Sequence, residues 1–186
     1  MKSLLIAIAP VAFLSLSYLI AGQAGPGSLD AALLAAATTD DAATVQRLLA
    51  QGANVNARDR FGNTPLMVAA FTGGIDAMKL LLKKGANIEA KDEDGETALL
   101  LAANWDKPNA VKLLLDKDAK IEAKDNDGDT ALLRAARLGW TEVVKVLLDH
   151  GARDRVKDND GKTALDLATA AGHADVTKLL RAKAAR

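Results

Sequence analysis

The 186-residue chain balances 24 basic against 24 acidic side chains, so no overall field directs it to nucleic acid or to an anionic membrane surface. It has no cysteine, which excludes a disulfide framework, a thiolate zinc site and a cysteine nucleophile. Alanine is abundant and aromatics make up 3% of the chain, a composition suited to one domain of helices packed through small residues.

The first element is an apolar run. Lys2 is the only charge before Asp30, Leu4 to Ala21 is continuously apolar or small, and Gly22-Gln23-Ala24 places small residues where a signal peptidase reads. The segment 1–24 is therefore expected to be a secretory leader cut after Ala24, with 25–28 as a linker. The alternative is a retained anchor. Eighteen helical residues span roughly 27 Å, near the ~30 Å hydrocarbon core. Both readings export the remainder, because Lys2 and the amino terminus favour the cytoplasmic side.

From Ser28 onward a period appears. Ser28 to Ala57 contains two apolar-striped stretches with no hairpin motif before them. Then Asp59-Arg60-Phe61-Gly62-Asn63-Thr64-Pro65-Leu66 recurs from Asp92 to Leu99, from Asp125 to Leu132 and from Asp158 to Leu165, with Gly62, Gly95, Gly128 and Gly161 spaced by 33 residues. The second halves repeat as MKLLLKKGANIEA, VKLLLDKDAKIEA and VKVLLDHGARDRV. Glycine permits the positive φ of a tight turn, and threonine places an oxygen to cap the next helix. Pro65 suits a first helical turn, where its missing N–H would be unpaired anyway. Gly52, Gly85 and Gly151 are expected to end the second helices in the left-handed conformation.

These motifs, D-x-x-G-x-T-[PA]-L followed by A-A and then V-x-x-L-L and G-A-N-V-N-A, resemble the ankyrin repeat over residues 29 to about 184. The resemblance implies an all-α solenoid of helix-turn-helix repeats joined by β-hairpin loops, preceded by an N-terminal hydrophobic helix. About five units are expected within 29–186, at 29–57, 58–90, 91–123, 124–156 and 157–184, the outer two acting as caps.

The acidic stretch Asp125-Asn126-Asp127-Gly128-Asp129 poses a choice between metal loop and turn. A calcium loop of the EF-hand kind needs glycine at its sixth position and glutamate at its twelfth; counting from Asp125 these are Thr130 and Ala136. The turn is the better reading, and no metal or other cofactor is assigned. Nor does the chain offer catalytic groups. Ser28 is its only serine after the leader, and His150 and His173 are its only histidines, without ligand spacing between them. There is no phosphate-cradling glycine loop, and the carboxylates are expected on water-exposed tips where nothing separates their pKa values. The chain reads as a non-enzyme.

The resemblance implies that another protein binds on a concave face of hairpin tips and first helices. The matching positions are Arg60, Phe61 and Asn63 on one tip, with Phe71 and Thr72 on the helix after it. The next unit supplies Glu93, Asp94, Glu96, Asn104 and Trp105, and the one beyond supplies Asn126, Asp127, Asp129, Arg137 and Leu138. In the last, Ala170 and Ala171 leave the groove bare. Of the four aromatics after the leader, Phe61, Phe71 and Trp105 map to this face as anchors, the competing role being to fill gaps between helices. Trp140 is expected to pack. Residues 89–129 hold twelve acidic and six basic side chains, a balance that steers a basic partner surface.

Two departures bear on stability. Met67, Leu100, Leu133 and Asp166 replace the histidine usual after T-P-L, and Asp118 stands where other units have glycine, at a strain of about 1 kcal/mol. With Asp106-Lys107-Pro108 replacing Gly-His between its helices, the unit 91–123 is expected to be the loosest. The functional expectation is an exported protein, periplasmic in a Gram-negative source, that binds an envelope protein. The alternative is a membrane-anchored accessory subunit held through residues 4–21.

Overall fold

In a computed structural model, residues 28–184 form a continuous stack of paired helices. The expected cleavage point after Ala24, the anchor over residues 4–21 and the N-terminal hydrophobic helix lie outside the described residues. The helices are α1 (Leu29–Thr38), α2 (Ala42–Ala50), α3 (Pro65–Thr72), α4 (Ile75–Lys83), α5 (Ala98–Asn104), α6 (Pro108–Leu115), α7 (Ala131–Leu138), α8 (Thr141–Asp149), α9 (Ala164–Ala170) and α10 (Ala174–Ala184). Among the described residues no helix is long and apolar enough to cross a membrane.

The odd-numbered helices stack on one another in one layer and the even-numbered helices in a second, each pair belonging to one unit. The sequence dictates the layers. α3 (PLMVAAFT) and α5 (ALLLAAN) are apolar on nearly every side and are buried between neighbours. α4 (IDAMKLLLK) is amphipathic and buries only Ala77, Met78 and Leu81. One apolar core runs the length of the stack, so truncating a fully buried leucine such as Leu114 to alanine is expected to cost about 2–5 kcal/mol. At the far end α9 buries Ala164 and Ala168 while exposing Asp166, Thr169 and Ala170, the polar outer face of a capping unit.

Each first helix starts at the expected threonine. Thr64, Thr97, Thr130 and Thr163 accept from the backbone N–H three residues on. Two residues that replace the usual histidine reach back to the cap: Asp166 accepts from Thr163 N–H at 2.9 Å, and Met67 sulfur faces Thr64 N–H at 3.3 Å.

The inter-helix tips are tight turns rather than extended hairpins; the described residues contain only an isolated bridge between Lys157 and Thr163. The arms are too short to sustain a ladder because aspartate closes each turn at once. Oδ1 of Asp59, Asp92, Asp125 and Asp158 accepts from the N–H groups two and four residues on. That engagement is the expected turn: the first aspartate oxygen is occupied by the backbone it organises. The tips also stack on each other. Glu93 and Asn126 donate their N–H groups to the carbonyls of Phe61 and Asp94, at 3.0 and 3.1 Å. A Cβ on Gly95 would sit 2.5 Å from Asn126 Oδ1, so close stacking requires glycine there as well as its φ of 77°.

Behind the tips runs a second line of bonds. Arg58 Nη1, Lys91 Nζ and Lys124 Nζ each donate to the carbonyl of the residue 33 positions on, namely Lys91, Lys124 and Lys157, at 2.8, 2.7 and 2.7 Å. The turns between paired helices are linked too. Trp140 Nε1 donates to Asn104 O at 3.1 Å, and His173 Nε2 lies 3.0 Å from Arg137 O, so the tryptophan packs as expected and also reproduces the histidine contact one unit earlier. Asp118 adopts φ 62° at the helix end where Gly52, Gly85 and Gly151 are also left-handed, and Asp106 adopts φ 51°.

Candidate functional site

A groove of about 480 Å³ opens between the tips of the second and third units. Phe61, Asn63 and Phe71 form one wall. Asp92, Glu93, Asp94 and Glu96 form the other, with Leu101 and Trp105 completing the lining. The Phe71 and Trp105 rings meet at 4.7 Å between centroids with their planes 57° apart. Each therefore fixes the orientation of the other. Phe61 is 39% exposed at the rim, and the Arg60 guanidinium lies 4.5 Å from its ring centre.

The groove thus gathers seven of the residues picked out by sequence, Phe61, Asn63, Phe71, Glu93, Asp94, Glu96 and Trp105. The others are distributed along the stack. Thr72 turns its hydroxyl to the Val68 and Ala69 carbonyls and borders a separate polar cleft beside Lys107 and Pro108. Asn104 accepts from Arg134 Nη1 at 3.5 Å. Asn126 and Asp127 are exposed on their tip, where the Asn126 amide donates to Glu93 O at 3.0 Å. Leu138 is half-buried.

Asp129 and Arg137 belong to an ion network that corrects the expectation of uniformly exposed carboxylates. Asp129 is 1% exposed and Asp125 8%. Arg134, on α7, reaches Glu96 at 2.6 Å through Nη1 and Asp125 at 2.6 Å through Nη2, and its Nε lies 3.7 Å from Asp129. Arg137 pairs with Asp129 and spans to Asp158 at 3.3 Å. Every buried side-chain polar atom among the described residues has a partner.

The carboxylates do not titrate alike, contrary to the sequence expectation. Burial pushes the Asp92 carboxyl above its ordinary range, against the hydrogen bonds from Glu96 and Asp94 N–H. Burial also raises Glu96, with Arg134 opposing it, and raises Asp129, with Arg137 opposing it. For Arg134 burial works against the charge, but Glu96 and Asp125 outweigh it and hold the guanidinium above its usual value.

Sequence reasoning missed Arg134, Asp92 and Leu101. The signal was the 33-residue register: Arg134 stands where the other units carry Val68, Leu101 and Leu167, an apolar stripe position. A cation there needs acids within reach, and the tip Asp125 to Asp129 supplies them.

Comparison with known proteins agrees with this architecture. Residues 32–125 and 121–186 match the family described as ankyrin repeats (3 copies). The chain belongs to the ankyrin-repeat family. Over 43 residues, 23% of its length, it is also 56% identical to the mitochondrial disaggregase of Bos taurus, a match spanning 6% of that protein. Repeats of this family indicate a protein–protein interaction module and are generally non-catalytic. What the groove offers chemically is an aromatic floor beside carboxylates.

Proposed function

We propose that this ankyrin-repeat chain is an exported, non-catalytic binding protein that engages an envelope partner through the groove between its second and third units. The observation that carries this reading is the joining of the Phe71–Trp105 pair to Glu93 and Asp94, which are exposed and have no basic partner among the described residues. Large rings in a cleft make interface anchors, while the flanking charge steers a partner of opposite sign. The apolar run from Leu4 to Ala21 behind Lys2 supports export, and periplasmic residence follows in a Gram-negative source. Its length also favours a second reading, a retained anchor that makes the chain an accessory subunit of a membrane complex.

Crosslinking in the native host separates these readings. A photoreactive residue at Phe61 is expected to capture a discrete protein, and one at Lys79 on the opposite layer is not. Trp105→Ala should abolish that capture in a crosslinker carried at Asn63. Capture from both layers, or indifference to Trp105→Ala, would show that this face is not the interface. Mass spectrometry of the bait decides the leader: a chain starting at Gly25 is exported and processed, whereas one retaining Leu4 to Ala21 in membranes after carbonate washing is anchored.

A further inference from the structure

The dipeptide Asp-Gly occurs three times in the chain, at Asp94–Gly95, Asp127–Gly128 and Asp160–Gly161, each at the same place on a tip. At such a step an aspartate side chain is open to attack by its own backbone, because glycine has no Cβ to shield the amide nitrogen that follows the carboxyl. The three copies share their local geometry. The glycine φ values are 77°, 78° and 77°, and each glycine N–H donates to the carbonyl of the tip's first aspartate, at 3.2, 3.1 and 3.1 Å. What differs is the neighbour. The Asp94 carbonyl accepts from Asn126 N–H at 3.1 Å and the Asp127 carbonyl from Asn159 N–H at 3.3 Å, so both peptide groups are pinned by the next unit. Gly95 and Gly128 are buried, and a Cβ on them would collide with Asn126 Oδ1 and Asn159 Oδ1 respectively. Gly161 is exposed, with no described atom within 4 Å of where its Cβ would lie. Among the described residues no donor reaches the Asp160 carbonyl.

We infer that Asp160–Gly161 is a modification site, the step at which this chain rearranges aspartate to isoaspartate, and that the stacked tips hold the other two copies back. Ring closure needs the Asp–Gly peptide plane to swing until the glycine nitrogen faces Cγ. At Asp160 that takes the opening of one turn, whereas at Asp94 and Asp127 a joint between units must open as well. The Gly161 nitrogen bonds to Asp160 Cγ and gives up its proton, the carboxyl gives up a hydroxyl, and water departs to leave a five-membered succinimide. Water then adds to the ring. Breaking the bond between nitrogen and Cγ restores aspartate, while breaking the one to the α-carbonyl leaves the chain running through Cγ. The sum is an isomerisation that needs no redox partner. It lengthens the backbone by one methylene between the N–H groups of Asp160 and Lys162, which Asp158 Oδ1 clasps at 3.0 and 2.8 Å. The mark therefore loosens the tip of the capping unit, independently of the binding reading above.

The test is to age the purified full-length chain at physiological temperature in mildly acidic buffer, digest it, and quantify isoaspartate at each copy by electron-transfer fragmentation. Asp160 is expected to accumulate it at least fivefold faster than Asp94 or Asp127. In concentrated urea the three rates should converge to within about twofold, since the stack that separates them is gone. Asn159→Ala removes the side chain over Gly128 and should raise the Asp127 rate at least threefold, with Asp94 unchanged. Should that variant fail to fold, the folded and unfolded rates of the natural chain still decide. Equal rates in the folded chain, a faster Asp94 or Asp127, or an Asp160 lead that persists undiminished in urea would overturn the assignment. So would an Asp127 rate indifferent to Asn159→Ala in a folded variant.

Discussion

The groove between the second and third units and the one between the third and fourth share a backbone plan but not a state of completion. In the later one Arg134 and Arg137 close the acidic tip internally, binding Glu96, Asp125, Asp129 and Asp158 into one network. In the earlier one the register positions of those arginines hold Leu101 and Asn104, and the acids line an open cleft. The contrast teaches that in a repeat protein a single side chain at an apolar stripe position decides between an ion-paired joint and a groove lined by acids. Nearest-neighbour architecture makes this possible, because a change in one interval leaves the next intact.

The sharpest way to break the comparison is to empty the closed groove. Arg134→Ala leaves Asp125 and Glu96 without their counter-charge, at an expected cost of about 3 kcal/mol in urea unfolding. A loss below about 1 kcal/mol would mean that the network contributes little and that the two grooves are energetically alike. Next in size, Trp105→Ala removes ring packing with Phe71 and should cost about 2 kcal/mol. If it exceeds the Arg134 variant, the open groove is the more structural of the two.

A smaller effect bears on the unit between the grooves. Asp118→Gly relieves a left-handed aspartate at φ 62° and should raise stability by about 1 kcal/mol, seen as a higher urea midpoint. Amide exchange should accompany it. The third unit, with Asp106 and Asp118 both left-handed, is expected to open more readily than the fourth, and uniform protection would sink that expectation.

The smallest effect is in pH. Burial lifts the folded pKa values of Asp92, Glu96 and Asp129 above their ordinary range, so the folded state holds those protons more tightly than the unfolded chain. Their contribution is fully present below the unfolded values and is lost as pH rises through the folded ones. Glu96→Gln should therefore flatten the fall in Tm as pH rises above 4.5, read by thermal unfolding across pH. An unchanged profile would show that Glu96 does not titrate in this window.

Much of the fold was legible in the sequence because the period repeats its own grammar. Four threonines at one offset from four glycines mark four helix starts, and Gly52, Gly85 and Gly151 mark three helix ends. The aromatic half of the groove was legible too, since Phe61, Phe71 and Trp105 stand out in an alanine-rich background. The acidic half was read only partly. Asp92 looks like a turn former, and it is one, yet it also lines the groove; local pattern assigns one role per residue. Arg134 was hidden for the converse reason. A charge within an apolar stripe looks like a solvated edge until the stacking of units brings three carboxylates around it.

The rungs formed by Arg58, Lys91 and Lys124 run one way, each cation clasping a carbonyl one unit further toward the C-terminus. Such a ladder is modular in inheritance. Duplicating a whole unit copies donor and acceptor together and lengthens the molecule without a loose end. A single inserted residue between a donor and its acceptor instead puts the one rung at that joint out of step. Growth of this protein by unequal exchange of entire units is thus permitted by its wiring, whereas drift in unit length is not.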